Sequence, residues 1–343
     1  MNRRTLPALA IAVLASLALA ACSEKQESTS APAQRDLTLI LDYLPNPDHV
    51  GIYTAQARGD FAKAGLNVKI VTPSDPAAPL KLVAAGRADL AISYEPEILL
   101  ARGHGADVLS VAALATRPLT SLMSVHGKPV SPQSLKGKTV GTAGIPYQDA
   151  YLETILQNAG VDPDSVKKVN VGFNLIPAML SGKVDATLGA FWNVEGVQLQ
   201  REQRRPRILP VDRVGVPTYD ELILVARRAT VREDGALIRR FIQALQRGTV
   251  AARRDPSAGV DALLAASPDL KRGFTAASVR ATLPALFPAQ SGRPFGWQDP
   301  ASWQRYIDWM VENGQLDRPM AAGAVLTNEF LPGEGVGEAD QTP

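Results

Sequence analysis

A single cysteine, Cys22, and three scattered histidines among 343 residues leave no material for an intrachain disulfide, a CxxC redox motif or a Cys-rich zinc site. Excess charge is lacking as well. The 36 Lys and Arg against 34 Asp and Glu give a formal charge of +2 with no block of like charges, which argues against the broad basic surface of a nucleic-acid binder. No Gly-x-Ser-x-Gly elbow occurs, and no His is placed to activate a serine, so an esterase or amidase reading fails. The apolar run at residues 6–21, about 16 long, falls short of the roughly 20 needed to span a membrane. What is present is ordinary globular composition, 45% hydrophobic and 20% charged, in a chain long enough for about two domains.

The chain opens on basic Arg3 and Arg4, then the apolar run, then Leu19-Ala20-Ala21-Cys22. Basic start, apolar core and small residues mark a secretory leader. The last four residues resemble a bacterial lipobox, in which the cut precedes Cys22 and a lipid is attached to it. Residues 1–21 are therefore expected to be a lipoprotein signal peptide, and 22–36, polar and small, a flexible tether. From Leu37, short β-rich runs alternate with helical stretches, the pattern of α/β domains. Strands are expected at residues 37–41, 66–71, 90–93, 108–114, 121–125, 139–141, 168–171, 186–190 and 222–226, and late helices at 232–254 and 302–313. Trp303, Tyr306, Ile307 and Met310 recur at helical spacing, which reads as packing rather than ligand contact. Two segments share one design: an apolar helix end, Gly86 or Gly182, then Asp89 or Asp185, then a strand. Each Gly suits the left-handed position that ends a helix, and the repeat fits one copy in each of two similar lobes.

Further along, residues 41–53 (LDYLPNPDHVGIY), 93–97 (SYEPE), 134–141 (SLKGKTVG), 144–147 (GIPY) and 180–186 (LSGKVDA) occur in an order that resembles the solute-binding proteins related to the fungal thiamine-pyrimidine synthases. The resemblance covers about residues 37–230 and is nearest to binding subunits of importers for hydroxymethylpyrimidine-type thiamine precursors. It implies a type II periplasmic binding protein, in which two α/β lobes joined by two crossover segments enclose a ligand cleft. On that model residues 125–129 form the first crossover and the stretch around 221–227 the second. Lobe one is then 37–126 plus 226–332, lobe two is 127–225, and residues 333–343 fray.

Open α/β sheets bind ligands at loops that follow strands. Those loops supply Asp42, Tyr43, Asn46 and His49; Ser93, Tyr94 and Glu95; Gly144 and Tyr147; and Trp192, Asn193 and Glu195. Aromatic faces beside carboxylates suit a flat nitrogen heterocycle whose amine donates to the acid, and the absence of Arg and Lys disfavours a purely anionic solute. Glu195 is the favoured acid. Asp42 also suits a helix cap, His49 a structural hydrogen bond, Glu95 a turn it holds itself, and Tyr219, before the second crossover, a hinge or cap role. The fungal enzymes use pyridoxal phosphate and iron, with a Lys and a His four residues apart where this chain has Ser93 and Glu97, and a Cys-rich motif where it has residues 216–221 (VPTYDE). Without that Lys no Schiff base forms there. The expectation is a monomeric substrate-binding lipoprotein of an ABC importer. It faces the periplasm or cell exterior, works with permease and ATPase subunits, takes an aminopyrimidine, and needs no cofactor or metal. A riboflavin, sulfonate or nitrate binder, a sensor, and a thiamine-pyrimidine synthase are the alternatives.

Overall fold

The computed structural model describes residues 34–128 and 130–333. The expectations for the leader, for Cys22 and for most of the tether and tail lie outside the described residues. In chain order the first half contains β1 (Arg35–Ile40), α1 (Val50–Ala57), α2 (Asp60–Lys63), β2 (Leu66–Val71), α3 (Pro79–Ala84), β3 (Leu90–Ser93), α4 (Glu95–Gly103), β4 (Val108–Ala115), β5 (Thr120–Ser124), β6 (Thr139–Thr142) and α5 (Pro146–Asn158). The second half contains β7 (Lys167–Asn170), α6 (Leu175–Leu180), β8 (Ala186–Phe191), α7 (Glu195–Arg201), β9 (Arg207–Pro210), β10 (Leu222–Arg227), α8 (Arg228–Arg254), α9 (Pro256–Ala266), α10 (Arg272–Thr282) and α11 (Pro300–Glu312).

Two five-stranded sheets organise these elements, ordered β2-β1-β3-β10-β4 and β7-β6-β8-β5-β9. The pattern is the same twice: three parallel strands, an antiparallel fourth, then an edge strand. This is the two-lobe arrangement of a type II periplasmic binding protein. β4 is buried along its whole length, as expected of a strand covered on both faces. β9 carries no such signal, because Arg207 is exposed, Pro210 ends it and it lies at the edge of its sheet. α11 begins on Asp299, whose side chain accepts the Ala301 N–H, and buries Trp303, Tyr306, Ile307 and Met310. α8 starts four residues before the expected 232 and breaks at Asp234, which has non-helical φ −134 and ψ 34.

The passages between lobes differ from the expected ones. β5 pairs with β8 and β9, so it belongs to the second sheet, and the outgoing crossover is residues 116–119 rather than 125–129. The return runs through residues 211–221, ending where β10 enters the first sheet. A short buried strand looks the same in either sheet; only its pairing decides. The first sheet thus takes its antiparallel fourth strand, β10, from beyond the return passage, whereas the second is built from one uninterrupted stretch, β5 to β9.

The repeated Gly-x-x-Asp device works identically in both lobes. Gly86 and Gly182 take φ +71 and +74 just after α3 and α6. Asp89 Oδ2 then accepts the Thr38 N–H at 2.7 Å, and Asp185 Oδ2 accepts the Thr139 N–H at 3.0 Å, which tethers β3 to β1 and β8 to β6.

Glu221 bolts the two passages together. Its carboxylate accepts the N–H groups of Leu119 (2.7 Å) and Thr120 (2.8 Å) and the hydroxyls of Thr120 and Tyr219 (both 2.9 Å). Burial raises its pKa, and these four donors oppose that rise by favouring the charged form.

Candidate functional site

The loops after β1, β3, β6 and β8 meet between the lobes around an empty volume of about 360 Å³, its mouth included. Asp42, Tyr43, Asn46 and Tyr94 line it from one lobe, and Tyr147, Gln148, Leu175, Gly189, Phe191, Val194 and Glu195, with Ala143 and Ile145, from the other. Among the described residues, no Lys or Arg lines the cavity.

Asp42, 1% exposed, is held from two sides. Tyr94 Oη donates to its Oδ2 at 2.9 Å, and His49 Nε2 lies 2.8 Å from its Oδ1. The Asn46 N–H donates to His49 Nδ1 at 3.2 Å, which leaves the imidazole proton on Nε2. His49 therefore meets Asp42 as a neutral donor, through a hydrogen bond rather than an ion pair. The arrangement follows from a short turn: Asn46 Oδ1 accepts the Asp48 N–H at 2.8 Å, and Pro47 starts the single turn at Pro47–His49 that brings His49 back beneath Asp42.

On the opposite wall Glu195 opens α7, and its Oε2 accepts the Phe191 N–H at 2.8 Å. Burial pushes its pKa up to about 7, the backbone hydrogen bonds pull against that, and the negative charge of Asp42 adds to the rise. Its surface is nonetheless partly open, because it lines the cleft. Tyr43 closes one side, meeting Phe173 of the other lobe edge-on with ring centroids 4.8 Å apart. Its hydroxyl is buried without a partner, and burial raises its pKa. Tyr94 and Tyr147 tilt together at 5.4 Å.

Several expected contacts lie elsewhere. Ser93 Oγ donates to Glu97 Oε2 at 2.6 Å in a buried pair away from the cavity. Glu95 turns toward the return passage, where its Oε2 accepts the Asp220 N–H at 2.7 Å. Burial, then the Asp220 charge, raises its pKa. Trp192 Nε1 donates to the Pro118 carbonyl at 3.1 Å, which fixes the ring against the outgoing crossover. Tyr219 packs on Tyr151 and Tyr306 and donates to Glu221. Gly144 takes φ +79 where a side chain would strike Asn170, so its role is conformational. His49 acts through Asp42, and Asn193 leaves its own lobe, as described below. Gln148 and Gly189 are additions that periodicity did not mark. Gln148 Oε1 accepts the Ala143 N–H at 2.8 Å, and a Cβ on Gly189 would lie 2.4 Å from Gln148 Nε2. A glycine inside a strand was the available signal.

A family model described as "NMT1/THI5 like" matches residues 46–259, well over half of the chain. The chain belongs to that family. A formylaminopyrimidine-binding protein of Halalkalibacterium halodurans is 34% identical over 314 residues, covering 90% of this chain and 94% of that one. A 4-amino-5-hydroxymethyl-2-methylpyrimidine phosphate synthase of Saccharomyces cerevisiae is 26% identical over 231 residues, covering 64% and 68%. Among solved structures, the alkanesulfonate-binding protein SsuA of Xanthomonas axonopodis pv. citri bound to MOPS matches with a TM-score of 0.67 at 18% identity, covering 87% and 100%, a likeness of fold. The relatives of this chain thus include both a binding protein and a synthase.

Proposed function

We propose that this protein is the substrate-binding component of an ABC importer and closes on a thiamine-related aminopyrimidine of the hydroxymethylpyrimidine or formylaminopyrimidine type. The observation that carries the reading is a cleft lined by four aromatic rings and two carboxylates with no cation. Tyr43, Tyr94, Tyr147 and Phe191 enclose a flat ring, and Glu195 accepts hydrogen bonds from its exocyclic amine. Asp42, oriented by His49 and Tyr94, keeps a free lone pair on each oxygen for a second donor. A sulfonate or nitrate would find no matching charge here. The resemblance to a named formylaminopyrimidine-binding protein supports the same solute. A synthase reading is disfavoured because Ser93 and Glu97, in place of the fungal Lys and His, bond to one another and offer no amine. Export, lipid attachment at Cys22, action as a monomer and partnership with a permease and an ATPase complete the proposal.

A thermal-shift and calorimetry panel of formylaminopyrimidine, hydroxymethylpyrimidine, thiamine, riboflavin, taurine and nitrate tests it. The pyrimidines are expected to stabilise the protein by about 2.7 kcal/mol at a hundredfold excess over Kd. Stabilisation by the anions alone would reverse the reading. Cys22→Ala is expected to abolish fatty-acid labelling in cells, and an unlabelled wild type would remove the anchor.

A further inference from the structure

Asn193 follows β8 in the second lobe, yet its side chain is buried in the first. Its Nδ2 donates to Asp48 Oδ1 at 2.6 Å and to Thr282 Oγ1 at 2.7 Å, Thr282 Oγ1 lies 3.3 Å from the same Asp48 oxygen, and Ser278 Oγ donates to the Asn193 carbonyl. Both donors of the amide are therefore used. Two acceptors of the same pair, Asp48 Oδ2 and Asn193 Oδ1, are buried without any partner. Two orphaned acceptors on one already bonded acid and amide would be costly, and a proton on Asp48 Oδ2 would turn one of them into a donor.

We propose that Asp48 and Asn193 form an acid–amide clasp that latches the lobes shut: Asn193 Nδ2–H donates to Asp48 Oδ1, and a protonated Asp48 returns Oδ2–H to Asn193 Oδ1. Closing takes one proton from solvent onto Asp48, and opening returns it. Asp48 and Asn193 are positioning residues, acting on the solute through the closed geometry. The surroundings agree. The charges acting on Asp48 are those of Asp42, from its own loop, and Glu195, from α7, both acidic, while α10 contributes the hydroxyl of Thr282. Burial first, then the charges of those acids, hold the Asp48 carboxyl well above the usual carboxylate range, against the pull of its hydrogen bonds from Asn193 and Thr282. Since Asp48 stands next to His49, the clasp also shares a turn with the residue that steadies Asp42.

The inference rests on lobe closure and not on the solute named above, and its test separates the two. Calorimetry with formylaminopyrimidine in buffers of different ionisation enthalpy counts protons taken up on binding. Wild type is expected to take up as much as one proton more than Asp48→Asn, whose amide N–H reproduces the acid permanently. The affinity of wild type is expected to fall with rising pH by up to tenfold per unit more steeply than that of the variant. Asn193→Ala is expected to weaken binding about tenfold, and adding Asp48→Ala to change it little further. Small-angle scattering across pH follows closure with and without solute; wild type is expected to open as pH rises and Asp48→Asn to stay level. Proton uptake by Asp48→Asn equal to that of wild type, or weakening of Asp48→Asn to match Asp48→Ala, overturns the clasp. So does pH-independent compaction of wild type in both states. Absence of formylaminopyrimidine binding alongside pH-dependent compaction removes the solute and leaves the clasp supported.

Discussion

The two lobes run one strand order and use one Gly-x-x-Asp tether, but their equivalent strand ends send side chains to different places. After β3, Tyr94 enters the cleft while Glu95, the next residue, turns away to the Asp220 N–H. After β8, Trp192 is caught by the Pro118 carbonyl, Asn193 crosses to the other lobe, and Glu195 faces the cleft. What differs is which passage lies beside each strand end. The return passage runs past β3 and offers Glu95 a backbone donor; the outgoing passage runs past β8 and takes the indole instead. Position after a strand therefore brings a residue near the cleft, and the neighbouring crossover decides whether its side chain is left facing it.

The largest effect should come from the residue that joins those crossovers. Glu221→Ala strands two buried N–H groups and two hydroxyls, and is expected to cost about 3 kcal/mol or more in denaturant unfolding. A loss below about 1 kcal/mol would show that the passages hold together without it. Next comes pH. Burial raises Glu97 in one lobe, Glu195 in the other and Asp220 between them to about 7 each. Their folded pKa values exceed the unfolded ones, so the stability they lend is complete below about pH 4 and lost as pH rises through about 7. The ligand-free protein should melt several degrees higher at pH 5 than at pH 8, with Glu195 contributing least because the cleft admits water. A melting temperature level over that range would contradict it.

The sharpest contrast between lobes is a pair of isosteric changes. Glu195→Gln is expected to weaken solute binding by roughly 1.5–3 kcal/mol through loss of a charged acceptor, whereas Glu95→Gln should leave affinity within about 0.5 kcal/mol of wild type. Equal losses in calorimetry would mean that the cleft lies elsewhere. The smallest effect tests the shared device: Asp89→Ala and Asp185→Ala each remove one acceptor of a backbone N–H and should each cost about 1 kcal/mol. A marked inequality would show that one lobe leans on its tether more than the other.

Much of the scaffold was legible because strand, helix end and tether are local. β2 and β3 coincide with their expected runs, and Gly86 and Gly182 take the backbone conformation their positions implied. The crossovers were not legible, since β5 is buried throughout and local pattern alone does not say which sheet such a strand will join. The site divides the same way. Asp42, Tyr43, Asn46, Tyr94, Tyr147 and Glu195 stand at the cavity, whereas Trp192, Asn193 and Tyr219 were drawn off by partners some 70 residues or more away in the chain or by the hinge beside them. Gln148 lines the cleft, and Phe173 packs on Tyr43 beside it, from positions that no motif distinguished.

The late arrival of β10 also sets an order of events during synthesis. β10 sits between β3 and β4, so the central gap in the first sheet stays open until residue 227 has been made, more than a hundred residues after its neighbours. Pairings so distant in sequence form slowly. The first lobe therefore cannot complete its sheet until about two thirds of the 343-residue chain has been made, and its earlier strands wait with an unfilled place between β3 and β4 until then.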